Sequence, residues 1–342
     1  MKLLLKTCAV ALAAAFGWAA QAQEVTLRVH HFWPAQAMPP TKVLQPWCDK
    51  IAADSNNRLK CQVFPAMQLG GTPAQLIDQV RDGVVDIAFT LPGYTAGRFP
   101  IMEAFELPFM IRSAEAGSKA AWEFYEKYAQ KEFASVKPLM FAVHEQGYVH
   151  TRDKQIKTLA DFKGLKMRAP TRQTNRLLAS LGASPVGMPL PAVAEAVNKG
   201  VIDGFVLPWE VIPSVRLHEM VKFHTETPDN RPALYTSVFV LAMNPAKYNS
   251  LPADLKAVID RHSGAVLSAA AGKTWDAARA PGRKPAEERG NTFYTLPAEE
   301  VDNWIKASAP LHDDWVAAMD KAGLPGKQML EDARAMIAKH QK

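Results

Sequence analysis

The chain has 342 residues and a formal net charge of +6, with its lysines and arginines scattered along its whole length. No basic run is interleaved with aromatics, which argues against a nucleic-acid partner, while the mild positive excess suits anionic ligands. Beyond the N-terminus the longest apolar run is Val238–Met243, too short for a membrane span, so the chain reads as exported and water-soluble.

The first element is a secretory leader. Lys2 and Lys6 form its positive region, Thr7–Ala20 its apolar stretch and Ala20-Gln21-Ala22 a small-x-small cleavage site. Cleavage after Ala22 removes residues 1–22, lowers the charge to +4 and delivers the protein to the periplasm. The apolar stretch is shorter than the ~20 residues of a membrane anchor. Lys6 stands where a lipoprotein signal before Cys8 needs an apolar residue. The remaining ~320 residues are too many for one small core and suit two lobes. Export leaves Cys48 and Cys61. An even count in an oxidising compartment fits a disulfide; two buried free thiols are the alternative.

Val25, Leu27 and Val29 alternate with polar residues as a first strand. A helix over about 41–55 places Leu44, Trp47, Cys48 and Ile51 on one face. Leu59, Cys61 and Val63 mark a second strand. Thr72-Pro73-Ala74-Gln75 is a capping-box start for a helix that stops at Gly83. Val84–Leu91 is apolar enough for a central strand. Val136–His150 and Tyr235–Met243 read as long strands that cross between lobes. Between them Leu165–Met167, Pro185–Met188 and Ile202–Leu207 are short strands alternating with two helices. Residues 251–289 are helix-forming, with Gly264, Gly272 and Pro281 predicting kinks or breaks. Val301–Lys321 and Lys327–Lys339 are amphipathic helices. Pro73-Ala74 through Gly83-Val84-Val85-Asp86 parallels Pro191-Ala192 through Gly200-Val201-Ile202-Asp203, a repeat that implies two βα halves with a cleft between them.

Enzyme motifs fail. Gly-x-Ser-x-Gly is absent; Leu267 stands where a phosphate loop ending in Gly272-Lys273-Thr274 needs glycine; Lys222 replaces the second histidine of a zinc-protease run begun by His218-Glu219. His30 and His31 point to opposite faces of a strand and cannot chelate one metal together. No cofactor or metal is expected.

The central block places Arg168 at the C-terminal end of a strand, where open α/β sheets bind ligands. A guanidinium there stays charged and presents a planar fork to a carboxylate. The pattern Gly164-Leu165-Lys166-Met167-Arg168-Ala169-Pro170, then Leu181-Gly182-Ala183-Ser184-Pro185-Val186 and Gly200-Val201-Ile202-Asp203-Gly204, resembles the solute-binding proteins of TRAP transporters, the DctP-like family. Phe64–Gly71 including Gln68, Asp82–Asp86, Glu106–Phe109 and Met243–Pro252 extend the resemblance over most of the mature chain. It implies an α/β, two-lobed periplasmic-binding fold of mixed sheets flanked by helices, with long C-terminal helices. Lobe I is expected over 23–147, with about 236–275 returning to it. Lobe II is expected over 148–235, with about 276–342 packing on it.

The resemblance further implies a receptor that closes on an organic acid through a salt bridge to Arg168 and docks on a small and a large integral membrane subunit. A second basic residue common in dicarboxylate receptors is missing from Gln146–His150. The expected rim is Phe32, Trp33, Tyr94, Tyr148, Phe205 and Trp209, with Gln68 nearby. One cation among aromatic walls favours a monocarboxylate, aromatic or keto. His150 or Arg172 as a second carboxylate partner keeps a C4-dicarboxylate open, and an ion pair of Arg168 with Asp161 or Asp203 is the structural alternative to ligand binding. A secreted enzyme using His150 or Glu210, and a receptor reporting to a sensor, are the remaining options. A monomer is expected, the C-terminal helices leaving room for a dimer.

Overall fold

The computed structural model describes residues 24–341; the leader, its cleavage site and Cys8 lie outside the described residues. The strands are β1 (Val25–His31), β2 (Leu59–Phe64), β3 (Ile87–Thr90), β4 (Lys137–Val143), β5 (Tyr148–Thr151), β6 (Lys166–Ala169), β7 (Ser184–Gly187), β8 (Gly204–Leu207), β9 (Phe223–Glu226), β10 (Val238–Met243) and β11 (Thr292–Thr295). They form two mixed sheets, ordered β2-β1-β3-β10-β4 and β11-β9-β5-β8-β6-β7. The helices are α1 (Gln45–Asp54), α2 (Leu76–Arg81), α3 (Ala114–Phe124), α4 (Arg172–Ser180), α5 (Val193–Asn198), α6 (Pro245–Asn249), α7 (Ala253–Arg261), α8 (Ala265–Glu288), α9 (Ala298–Ser308), α10 (Pro310–Lys321) and α11 (Gly326–His340). No described helix is long and apolar enough to cross a membrane.

The repeat has a structural basis. In each sheet two parallel neighbours flank a strand, β2-β1-β3 and β7-β6-β8, and an antiparallel strand follows. Asp86 closes one unit by accepting the Arg28 amide at 2.8 Å, and Asp203 closes the other by accepting the Lys166 amide at 2.8 Å. Each aspartate registers the strand it opens against a parallel neighbour, β3 against β1 and β8 against β6.

The long strand expected over 136–150 is two strands. β4 belongs to the first sheet, β5 to the second, and His144–Gly147 crosses between them. Residues 233–237 make the return crossing into β10. The expected breaks in 251–289 reduce to one, where Gly264 at φ +71° separates α7 from α8. Gly272 does not break α8; a Cβ there would lie 2.4 Å from the Ala114 carbonyl, so glycine permits α8 to pack on α3. α8 runs ~36 Å and touches both lobes, through Asp276 on the Ala114 and Glu115 amides and Arg283 on Glu226. The helix expected over 301–321 splits at Pro310 into α9 and α10.

The segment after residue 275 does not stay with the second lobe as expected. β11 joins the second sheet, but α11 returns to the first lobe, where Asp332 takes Lys127 and Tyr128, and Glu123 takes Lys339 and His340. Cys48 on α1 and Cys61 on β2 are joined by a disulfide.

Candidate functional site

Four parallel strands, β1 and β3 in one sheet and β6 and β8 in the other, aim their C-terminal ends at one interlobe cavity. The residues they deliver are Phe32 and Trp33 after β1, Leu91 and Tyr94 after β3, Arg168 on β6, and Leu207, Pro208 and Glu210 at and after β8. The two crossings add His144, Tyr235, Ser237 and, at the start of β10, Phe239. The cavity volume is about 30 Å³, well below the roughly 300–1,000 Å³ of ligand pockets, so a ring-sized ligand needs its lining side chains to move apart.

Arg168 is fully buried. Its Nε donates to the Met188 carbonyl at 2.9 Å and its Nη1 to the Val206 carbonyl at 3.3 Å. The Tyr94 and Tyr235 hydroxyls stand beside the guanidinium, and burial is the main influence lowering its pKa. No described carboxylate forms an ion pair with it. Asp161 is occupied by Lys154 and the Thr158 capping box, and Asp203 by the Lys166 amide. An arginine this deep keeps its charge, and a lone buried charge is costly unless paired. An anion beside it would relieve that cost.

Around it the polar groups divide into spent and idle. His144 Nδ1 donates to the Glu145 carbonyl at 2.5 Å, and its Nε2 accepts the Ser237 amide at 2.9 Å; burial holds its pKa down at about 4, so the ring is neutral. The Tyr235 and Ser237 hydroxyls are buried without partners among the described residues. The walls are aromatic: Phe32 stacks on Trp33 at 3.9 Å, Trp33 meets Phe239 at 5.5 Å, and Tyr94 meets Phe32 edge-on at 5.3 Å.

Of the residues expected at the site, Arg168, Phe32, Trp33 and Tyr94 line this cavity together. Tyr148, Phe205, Trp209, His150, Arg172 and Gln68 do not line it. Tyr148 is core, with its hydroxyl on Gln146. Phe205 stacks on His150, and Trp209 packs on His150 and His224 with its indole N–H on Glu226. Tyr148, His150 and Phe205 share the sheet face of Arg168 but pack with Trp209 and His224 beside the cavity, where sequence pattern alone does not separate core from rim. His150 sits in a closed relay: Asn291 donates to His224 Nε2 (2.9 Å), His224 Nδ1 to His150 Nδ1 (2.7 Å), and His150 Nε2 to the Leu207 carbonyl (3.0 Å). Burial takes His150 to about 3. Arg172, at the start of α4, pairs across the cleft with Glu103 (2.5 and 3.1 Å) and lines an outer groove. Gln68 is exposed.

Sequence reasoning missed His144, Tyr235, Ser237 and Phe239 as lining residues. Their signal was present, since all lie in or beside the two segments read as crossing strands, and crossings between lobes border the cleft.

The model of bacterial extracellular solute-binding protein family 7, DctP, matches residues 29–318. A TRAP solute-binding protein from Rhodoferax ferrireducens, solved with copurified benzoate, is 51% identical; the match covers 92% of this chain and 98% of that one at a TM-score of 0.91. A marine-metagenome TRAP protein specific for aromatic acids, solved with 3-hydroxybenzoate, is 46% identical over 94% and 100% of the two chains, with a TM-score of 0.91. A Bordetella bronchiseptica TRAP protein with bound mandelate is 29% identical over 92% and 99%, with a TM-score of 0.86. The chain belongs to family 7 of the bacterial extracellular solute-binding proteins, the DctP-type receptors that bind small organic acids and work with the membrane subunits of TRAP transporters.

Proposed function

We propose that this receptor captures a small aromatic monocarboxylate of the benzoate type. One observation carries the reading: a buried cation with no acidic partner faces a cavity walled by stacked aromatics. The ligand carboxylate sits on the Arg168 guanidinium and takes the idle Tyr235 and Ser237 hydroxyls. Its ring lies among Phe32, Trp33 and Phe239. Charge-assisted hydrogen bonds contribute about 1.5–3 kcal/mol each. Burying a phenyl ring of ~150 Å² adds about 4 kcal/mol. Micromolar binding requires about 8 kcal/mol, so head and ring together suffice where Arg168 alone does not.

A dicarboxylate lacks its second cation here, because Arg172 is paired outside the cavity and His150 is neutral and enclosed. The aromatic acids bound by the relatives support the same ligand class. Titration calorimetry with benzoate, mandelate and succinate tests the proposal, with mass spectrometry checking that the acid is recovered unaltered. Benzoate or mandelate should bind at micromolar Kd or tighter; succinate binding more tightly than either would refute the reading.

A further inference from the structure

The cavity carries one polar group that a carboxylate head and an apolar ring leave idle. Glu210, in the turn Trp209–Val211 after β8, lines the same cavity as Arg168 and is 7% exposed. Its Oε1 accepts the Trp275 indole N–H at 3.2 Å, while Oε2 is buried and has no partner among the described residues. Its own amide donates to Glu145 Oε1 at 3.0 Å, which ties the turn to the lobe crossing and fixes where the carboxyl points. Glu210 forms no ion pair with Arg168. Tyr235 lines the same cavity and feels the charge of both groups.

We propose that Glu210 is a specificity subsite that hydrogen-bonds a hydroxyl substituent on the ring of an aromatic acid whose carboxylate is held by Arg168. The proposal rests on the aromatic-acid reading and assigns where such acids are told apart. The charged and titratable groups around this carboxyl are Glu145, Tyr235 and, across the cavity, Arg168, with Asp276 beyond Glu145. Burial raises both Glu145 and Glu210 above the ordinary carboxylate range, Glu210 to about 7, so near neutral pH its protonated form is well populated. A neutral acid both donates and accepts, and it does not compete with the ligand for the Arg168 charge. An unsubstituted ring leaves Oε2 buried and unpaired, which carries the desolvation cost of that atom. A ring hydroxyl removes that cost, and sites made to hydrogen-bond a hydroxyl discriminate against the analogue without one.

Titration calorimetry of the mature protein with benzoate and with 2-, 3- and 4-hydroxybenzoate tests this. At least one hydroxybenzoate should bind the wild type about tenfold more tightly than benzoate. Glu210→Gln, which keeps a donor and an acceptor, should retain most of that preference. Glu210→Met should lose the preference, binding benzoate and the hydroxybenzoates with similar affinity. A wild type that binds benzoate and the hydroxybenzoates equally, or a Met variant that still discriminates, overturns the subsite alone. A wild type that binds none of the four overturns the aromatic-acid reading and the subsite with it.

Discussion

Replacing Arg168 by Met separates a binding cation from a structural one, because the two roles predict opposite balances. In the ligand-free protein the substitution orphans the Met188 and Val206 carbonyls, each costing about 1–3 kcal/mol. It also removes a lone buried ion whose desolvation costs several kcal/mol. These offset, so the melting temperature of the empty protein should move by only a few degrees. In the complex the ligand carboxylate loses its only cation, at about 3–5 kcal/mol, or roughly 10²- to 10⁴-fold in Kd. At a ligand concentration of about 100 Kd the wild type gains about 2.7 kcal/mol of stability, and a variant weakened at least a hundredfold gains about 0.4 kcal/mol or less. Calorimetry and thermal shift with benzoate read both quantities. Arg168→Lys keeps the charge but loses the planar fork and should fall between the two. A Met variant whose Kd stays within about threefold of wild type would refute the reasoning, since the anion would then be bound elsewhere.

Gly147→Ala should weaken ligand binding, because a Cβ there would lie 2.1 Å from the Tyr235 ring and displace a cavity wall; unchanged affinity would show that Tyr235 takes no part. Cys48 and Cys61 are 13 residues apart, so the double serine variant should lose about 3 kcal/mol in denaturant unfolding with little change in Kd. Burial holds His144 near 4 and His150 near 3, so the folded state refuses protons that the unfolded chain takes up below about 6.5, and stability falls with falling pH; burial lifts Glu106 and Glu132 to about 8, so the folded state keeps protons that the unfolded chain releases above about 4.5, and stability falls with rising pH. Melting temperature should therefore peak between about pH 4.5 and 6.5, and a steady climb to pH 8 would count against these buried neutral groups.

The sheets were legible where periodicity and punctuation coincide. Val25-Thr26-Leu27-Arg28-Val29 alternates cleanly because β1 has one outward edge pattern, and the Gly-Val-x-Asp repeat is readable because its aspartates do the same job in both sheets. The split of 136–150 was hard to read because both strands and the crossing between them are buried alike; its signal was the polar run His144-Glu145-Gln146 before Gly147. β11 was missed because its four residues are half-exposed and short. At the site, Arg168 stood out by chemistry and strand position together. Phe205 and Trp209 misled because Phe205 shares the sheet face of Arg168 yet packs with Trp209 around His150, beside the cavity rather than into it.

The arrangement links capture to closure. Arg168 makes its hydrogen bonds to carbonyls of its own lobe, but it is covered from the other lobe by Tyr94, whose hydroxyl also accepts the Leu190 amide at 3.1 Å. Glu103 of the first lobe takes Arg172 and Gln173 of the second. These are the contacts of a closed cleft, and they leave a guanidinium dry. Closing without an anion carries the penalty of an unpaired buried cation; closing on a carboxylate cancels it and adds aromatic burial. A ligand shifts a two-state equilibrium only by its differential affinity for the states, and here that difference resides in the desolvated Arg168. On the proposed reading, the cation that recognises the acid would also disfavour closure of the empty receptor, so that the closed form would exist chiefly when loaded.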